Sequence, residues 1–251
     1  MPPQAMEVKC HPKSLNNITL ANLLSETKAN NLVKFLSNDL CGVPQPVAAK
    51  IVAALGVADV LPSALPSSKI AARLQLLRDE KNIKPPTASS LSPAGEYNIR
   101  LGVLKELQPK LVATFTDKPG AHEGHAFLVE AAVSVGGSRM REGINVFRFA
   151  NRIPLLFETG ADVVTQVANK RINWSSYHLD PRKDNVGVYV SIVSTRIPFK
   201  GTSKEYIGDD VLDMQQAVRR ALQGCCQQLR VSLAQSLARR EENERKKTLT
   251  K

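Results

Sequence analysis

The sequence predicts an α+β fold in which a small helical region is followed by a sheet and one very long helix. Helix-like segments separated by glycine and proline fill residues 22–83. Strand-like runs and one helix-like segment alternate over residues 111–194. From residue 210 to residue 246, apolar side chains recur at helical spacing without a proline.

Composition indicates a protein with a polyanionic partner. The chain has 251 residues, a hydrophobic fraction of 43%, a formal net charge of +11 and a pI near 9.6. This length is enough for one or two domains with substantial cores. The positive balance favours nucleic acid, with acidic membrane or protein surfaces as alternatives. We expect no membrane span and no signal peptide, because no apolar run has the necessary length.

Cysteine usage favours a reducing compartment. None of the four cysteines belongs to a C-x-x-C pair, and Cys225 and Cys226 are adjacent within the long helical pattern. This spacing is typical neither of a zinc site nor of a secreted disulfide framework.

The first third of the chain is predicted to be a linker and a helical domain. Residues 1–20 are irregular and contain prolines, which favours a linker. Residues 21–88 contain predicted helices at 23–36, 47–55 and 69–80.

Basic side chains of this helical domain are candidate contacts for DNA phosphates. Lysine, arginine and helix N-termini commonly bind phosphate. A solvated helix face produces the same pattern, so a helical spacer is the alternative. The candidates are Lys50, Lys69, Arg73 and Arg78.

A second domain is predicted over residues 89–240, after a Pro- and Ser-rich boundary at 85–93. It should open with a helix over 93–107 that has Glu96 near its capping position. Strands are expected at 111–115, 126–135 and 145–156, the last two joined like a hairpin through Gly136 and Gly137, with Pro154 bending or ending the third.

The stretch from 185 to 210 organises this domain. After a helix at 161–171, the apolar, β-branched strand at 186–194 is predicted to lie inside the sheet. A loop with Arg196, Lys200 and Lys204 then leads into the long helix.

At 1.5 Å per residue, the long helix would extend about 55 Å, which exceeds the width of a domain of this size. Its end therefore either reaches a partner or docks on its own sheet and frays, and residues 241–251 form a basic tail.

The chain shows no constellation of a self-contained enzyme, so no catalytic residue is predicted. It has no G-x-x-x-x-G-K-[ST], G-x-G-x-x-G or G-x-S-x-G motif. His122 and His125 have the wrong spacing for a helical zinc pair, and we expect no metal site there. These observations favour a binding or coupling protein.

Several motifs in one order resemble the B subunit of DNA topoisomerase VI, in particular a plant form. They are Leu91-Ser92-Pro93-Ala94-Gly95-Glu96, Lys118-Pro119, Gly124-His125-Ala126-Phe127-Leu128-Val129-Glu130, Arg148-Phe149-Ala150-Asn151-Arg152-Ile153-Pro154-Leu155-Leu156-Phe157-Glu158, Gly160-Ala161-Asp162, Ser194-Thr195-Arg196-Ile197-Pro198-Phe199-Lys200 and Ser203-Lys204-Glu205.

The resemblance implies a fold for each part. Residues 21–88 would be a helix–two-turns–helix domain, and residues 89–240 a β-α-β transducer domain with the long helix. In this family, a GHKL ATPase domain that binds ATP and Mg²⁺ precedes both. Nothing in this sequence matches its boxes, so this chain alone is expected neither to hold ATP nor to hydrolyse it.

The resemblance also implies two sets of site residues. The transducer of the family contacts the ATP γ-phosphate through a switch lysine, for which Lys204 is the first candidate and Lys200 the second; a surface lysine is the alternative. A Trp-x-x-Tyr element, matched by Trp174 and Tyr177, is linked to DNA sensing and to contact with the partner subunit. Ser175 replaces the lysine that often follows the tryptophan, and without the resemblance this pair would indicate core or interface packing.

By resemblance, the chain would couple ATP binding and hydrolysis to passage of double-stranded DNA by the A subunit. The implied partners are the A subunit, DNA and a second B subunit in an A2B2 heterotetramer, and the implied location is the nucleus. A non-catalytic DNA-binding module is the alternative, as is a regulatory protein that competes with the full-length B subunit.

Overall fold

The structure is a computed structural model that describes residues 8–56, 61–64, 77–78, 82–201 and 205–249. The chain forms two compact units. The first contains Met1–Ser90 and Ala121–Ala126, and the second contains Leu91–Gly120 and Phe127–Lys251. The α+β class is confirmed.

Over residues 8–90, the described part of the first unit is helical apart from its connecting segments. Its helices are α1 (Asn17–Glu26), α2 (Leu32–Lys34) and α3 (Gln45–Ala54), and α2 continues into a π-helical turn at Phe35–Asp39. The predicted helix at 47–55 is confirmed as α3. The predicted helix at 69–80 lies mainly outside the described residues.

The prediction of a single helix over 23–36 is wrong, because capping side chains divide this segment. Asn16 accepts a hydrogen bond from the Thr19 amide and begins α1 six residues earlier than predicted. Thr27 then adopts an extended conformation, and Asn31 caps α2 by accepting from the Lys34 amide. Asparagine side chains at these positions satisfy amides that a helix start leaves unpaired.

The second unit begins with α4 (Glu96–Leu107), followed by the strands of a mixed sheet and two further helices. The prediction that Glu96 forms a capping box is wrong, because its carboxylate accepts from the Thr116 amide on β1 instead. The remaining elements of the chain are β1 (Leu111–Thr116), β2 (Gly120–His122), β3 (His125–Val135), β4 (Gly143–Ala150), β5 (Ile153–Pro154), α5 (Val163–Lys170), β6 (Asn185–Ser194), β7 (Phe199–Lys200), β8 (Tyr206–Ile207) and α6 (Leu212–Leu249). All belong to the second unit except Ala121–Ala126, which contain most of β2 and the start of β3 and belong to the first.

Strand β6 lies at the centre of the sheet, as predicted. The order is β1-β3-β6-β4-β5, and the short β2 belongs to the same sheet. β6 is antiparallel to β3 and parallel to β4. The expected β3–β4 hairpin is therefore wrong, because β6 inserts between these strands and forms hydrogen bonds with both.

The chain reverses after β4 at Asn151 and Arg152 rather than at Pro154. Both residues have positive φ angles, of 47° and 69°, which suits the tight turn of a hairpin. The side-chain amide of Asn151 also pairs with the last residue of β6. Ser194 N donates to its Oδ1 at 2.9 Å, and its Nδ2 donates to Ser194 O at 3.1 Å. Pro154 instead pairs with Phe149 inside β5.

The two faces of the sheet carry different helices. Alternate residues of β6, such as Val188 and Val190, contribute to the large core with α5 and α6. Tyr189, which points to the other face, packs with Val103 of α4. The sheet is therefore the middle layer of the second unit.

Helix α6 is continuous over 38 residues, as predicted, and about 57 Å long. Among its described side chains, the buried stripe reaches from Met214 to Leu233. At Gly224, a Cβ atom would lie 2.6 Å from the Phe115 ring, so glycine permits close contact between α6 and β1. No helix among the described residues meets the combined requirements of length and apolarity for crossing a bilayer.

Alkaline pH should destabilise this core through its buried thiols. Burial raises the pKa of Cys226 to about 12 and raises that of Cys225 in the same direction. The unfolded chain ionises these thiols near pH 8.5, so Cys226 stabilises the fold fully below that pH and progressively less as pH rises towards its folded pKa. By pH 10, ionisation of the Cys226 thiol in the unfolded chain should lower the free energy of unfolding by about 2 kcal/mol.

Urea unfolding at pH 8, 9 and 10 measures this loss. In Cys226→Ala, the pH-dependent loss should be smaller by that amount. In Ser176→Ala, which removes an exposed hydroxyl and no thiol, the pH-dependent loss should equal that of the parent chain. Equal slopes for the parent and Cys226→Ala would contradict the expectation.

Candidate coupling site

The candidate site is a short hairpin between the central strand β6 and the long helix α6. Strands β7 and β8 form it, with Phe199 opposite Ile207 and Lys200 opposite Tyr206. Lys204, the first candidate for the switch lysine, lies outside the described residues. Lys200, the second candidate, lies on β7.

Lys200 contacts the residue that precedes the long helix by two positions. Its Nζ lies 2.8 Å from Oδ2 of Asp210, and its side chain is 44% exposed. Gly208 permits this approach, because a Cβ atom there would lie 2.3 Å from Asp210 Oδ1 and 3.0 Å from Lys200 Cγ. The ammonium is therefore both held by an anion and accessible to solvent.

A buried ion pair lies beneath the hairpin. The Nη1 atom of Arg148 on β4 is 3.3 Å from Oδ2 of Asp162, and both side chains are almost fully buried. Arg148 also donates from Nη2 to the carbonyls of Leu155 and Phe157, at 2.9 and 2.8 Å. One guanidinium thus holds the loop after β5 and the start of α5 against the sheet.

Asp162 connects this ion pair to the hairpin. Its Oδ1 accepts from the Val164 amide at 2.8 Å, which caps α5, and its Oδ2 accepts from the Ile207 amide of β8 at 3.2 Å. Burial raises the pKa of Asp162, and the Arg148 guanidinium and the two amides oppose that shift. Movement of β8 would therefore disturb a carboxylate that also fixes α5.

Further polar contacts fix the beginning of α6. Asp209 Oδ2 lies 2.9 Å from Arg171 Nη2, and Asp209 Oδ1 accepts from Gln215 Nε2 at 2.8 Å. Two turns further on, Arg220 forms a two-pronged contact with Asp117, with its shortest distance at 2.8 Å. The hairpin, the start of α6 and the end of β1 are therefore each held by charged contacts of their own.

The Trp-x-x-Tyr element lies in a 3₁₀ turn at Trp174–Tyr177. Trp174 is 3% exposed and donates from Nε1 to the Ala168 carbonyl at 2.8 Å. Tyr177 is partly buried against the same core. In this arrangement the tryptophan packs in the core, and the exposed residues of the element are Ser175 and Ser176.

The structure places one of the predicted DNA contacts on an exposed helix surface. Lys50 lies in the middle of α3 and is exposed. Arg78 instead donates to the Leu15 carbonyl within the first unit. Lys69 and Arg73 lie outside the described residues. Among the described residues, no group of three or more His, Cys, Asp and Glu side chains could hold a metal ion.

Individual interpretation of the residues missed the buried network, although Arg148 and Asp162 belong to the motifs quoted above. A charged residue in an apolar strand such as Gly143–Ala150 is a usable signal, because buried charges need partners. Asp210 and Asn151 carried no comparable signal.

This arrangement defines the second unit as a transducer-type domain: a sheet that links a lysine-bearing hairpin to a long helix. A family profile described as "Topoisomerase VI B subunit, transducer" matches residues 86–247. The chain belongs to the family of topoisomerase VI B subunits.

Proteins with similar sequences carry the name of the same family. The B subunit of DNA topoisomerase 6 from Arabidopsis thaliana is 48% identical over 255 residues, which cover 100% of this chain and 38% of that protein. The protein of the same name from Oryza sativa subsp. indica is 46% identical and is covered over 36% of its length. The B subunit of a type 2 DNA topoisomerase 6 from Saccharolobus islandicus is 33% identical, with 99% and 46% covered. The chain thus spans less than half of these relatives.

Proposed function

We propose that this chain is the coupling part of an ATP-dependent type II DNA topoisomerase. In this role it passes a change at a bound nucleotide to the subunit that cleaves DNA. The supporting observation is the connection of Lys200 to Asp210, two residues before α6, together with the anchoring of the same hairpin through Asp162.

The residues of this chain fit one contact to a nucleotide rather than a whole nucleotide site. Lys200 presents a half-exposed ammonium that already contacts an oxygen anion. Such a point charge suits a terminal phosphate. ATP with Mg²⁺, held by the remainder of a full-length protein, would supply the energy. Lys204, the first candidate from its motif, is the competing contact.

The proposed coupling is an exchange of partners by the switch lysine. When the ammonium leaves Asp210 for a phosphate oxygen, it releases the residue beside the start of α6. The Ile207 amide of β8 donates to Asp162, so a displacement of β8 would also shift α5 and the loop that Arg148 holds. Helix α6 would carry the displacement beyond the sheet, since its 38 residues are continuous.

The proposed assembly follows from the relatives' names and from the long helix. The A subunit would receive the far end of α6 and pass one DNA duplex through another. Two B subunits and two A subunits would form the working enzyme in the nucleus. Trp174 and Tyr177 would help to sense DNA by positioning their exposed neighbours.

A chimera tests the proposal, with this chain replacing the aligned segment of the Arabidopsis B subunit. Together with the A subunit, ATP and Mg²⁺, it should relax supercoiled DNA. Lys200→Met should reduce relaxation about 10- to 100-fold, because a charge-assisted hydrogen bond contributes about 1.5–3 kcal/mol.

Lys105→Met is the matched control, because Lys105 is an exposed lysine on α4, and its relaxation rate should be unchanged. Lys204→Met is measured beside it. Loss with Lys204→Met alone would transfer the role to that lysine, and full activity of both switch variants would contradict the proposed contact.

A DNA-binding module is the second candidate, favoured by the net charge of +11. Affinity for duplex DNA should then fall as a power of salt concentration, because each neutralised phosphate releases counterions. Lys50→Ala should reduce the slope of log affinity against log salt by about one. Binding that is absent or insensitive to salt would exclude this function.

A further inference from the structure

A cleft of about 590 Å³ opens on the face of the sheet that carries α4. Ile99, Val103 and Leu107 of α4 form one wall, and Phe147, Phe149 and Tyr189 of the sheet contribute the other. This volume lies within the range of small-molecule sites, which are usually apolar with a few polar groups. The hairpin that carries Lys200 contributes no residue to the described lining.

The cleft exists because α4 covers only part of this face. Val103 packs on Ala132 and Tyr189, whereas Phe147 on β4 remains 36% exposed. Gly102 lines the cleft, and a Cβ atom at this position would meet no atom within 4 Å, so there is room for a larger side chain. A glycine inside a helix costs stability relative to alanine, so its presence is not explained by helix formation.

The floor of the cleft contains a polar group without a partner. Ser191 of β6 is 6% exposed, and its hydroxyl forms no hydrogen bond with the described residues. Buried hydroxyls are normally paired, and an unpaired one is costly. A ligand with a hydrogen-bonding group would satisfy it.

The walls and the mouth indicate the shape and charge of that ligand. The rings of Phe147 and Tyr189 stack with centroids 4.7 Å apart and planes 4° apart, which gives a flat aromatic surface. Arg152 at the mouth is held by Ser92 Oγ and the Pro93 carbonyl, each at 2.8 Å. Its guanidinium has five N–H donors, so it has further donors for an anion.

We propose that this cleft binds a small planar aromatic molecule with an anionic substituent. The aromatic body would lie between α4 and the Phe147–Tyr189 pair, with a ring-bound N–H or O–H at Ser191 and the anion at Arg152. A peptide segment fits less well, because its backbone needs many hydrogen-bonding partners and this lining is largely apolar.

Two fluorescent probes test the cleft with the full chain. 8-Anilinonaphthalene-1-sulfonate has the proposed rings, N–H and anion, and N-phenyl-1-naphthylamine is its neutral counterpart. Each should bind at one saturable site with increased, blue-shifted emission. Gly102→Leu should fill the cleft and weaken both probes at least about tenfold, because the added side chain occupies the ligand's volume.

Gly160→Leu is the matched control, because Gly160 is exposed, has open space at its Cβ position and lies outside the cleft; it should bind both probes like the parent. Arg152→Met should weaken the sulfonate probe about 3- to 10-fold and leave the neutral probe unchanged. Ser191→Ala should weaken both about threefold.

Circular dichroism confirms that each variant is folded before titration. Unchanged binding to folded Gly102→Leu would show that the probes cover apolar surface elsewhere and would overturn the proposal. If Gly102→Leu abolishes saturable binding but Arg152→Met binds both probes like the parent, the ligand needs no anionic substituent, and that part of the proposal is wrong.

Discussion

Replacing Asp162 with asparagine should lower the free energy of unfolding of the sheet-containing unit by about 3–5 kcal/mol. Asparagine is nearly isosteric and can still cap α5, so the helix start is retained. What is lost is the charge opposite Arg148, whose guanidinium is almost fully buried. An arginine cannot escape this by losing its proton, so an unpaired buried charge remains.

Urea unfolding followed by tryptophan fluorescence measures this effect. Trp174 is the one tryptophan of the chain and lies in the core of the second unit, so the signal reports that unit. Asp180→Asn is the control, because Asp180 pairs with Lys183 on an exposed surface, where ion pairs contribute below about 1 kcal/mol. If Asp162→Asn lowered the free energy of unfolding as little as this control does, the ion pair would not anchor the hairpin.

A double variant separates the charge from the packing. In Arg148→Met with Asp162→Asn, both charges are absent, and the loss should be smaller than in Asp162→Asn alone. The Leu155 and Phe157 carbonyls lose their donor in the double variant, so full stability should not return.

Elements with local sequence signals could be predicted. The β-branched run now seen as Asn185–Ser194 indicated a strand inside the sheet, and α6 followed from its uninterrupted apolar spacing. Both patterns depend on neighbouring residues, which is why they are visible without any knowledge of the partners.

Long-range pairing could not be predicted in the same way. The segments now seen as β3 and β4 are adjacent in sequence, so a hairpin was the expected connection, yet β6 arrives later in the chain and separates them. Likewise, Pro154 was the residue expected to end the strand, whereas the chain turns at Asn151. Two hydrogen bonds to Ser194, 43 residues away, hold the Asn151 side chain. Such contacts depend on tertiary packing.

The candidate site was predictable only in part. Lys200 was the second candidate for the switch lysine, after Lys204. Its partner Asp210 lies ten residues further on, and only the folded hairpin brings the two together. Trp174 could be interpreted as part of a DNA-sensing element or as a packing residue. Only 3% of it is exposed, which places it in the core. Its link to DNA sensing remains a prediction.

Helix α6 should act as a rod whose continuity is required for coupling. Among the side chains that the structure describes on this helix, Leu233 is the last buried one, and Gln235 is exposed just beyond it. Proline at position 235 removes a backbone hydrogen bond and clashes with the preceding turn, at a cost of about 3 kcal/mol. The break would lie between residues 231 and 235, at the end of the described buried stripe, so the sheet and the Lys200 hairpin should remain folded.

The most direct test of coupling is the ratio of DNA relaxation to ATP hydrolysis in the chimera with Gln235→Pro. Hydrolysis should stay within about twofold of the parent, whereas relaxation should fall at least about tenfold, equivalent to about 1.4 kcal/mol in the coupled step. Gln235→Ala, which preserves the helix, should match the parent in both. If Gln235→Pro relaxes DNA as fast as Gln235→Ala, α6 does not transmit the signal and the proposed coupling is wrong.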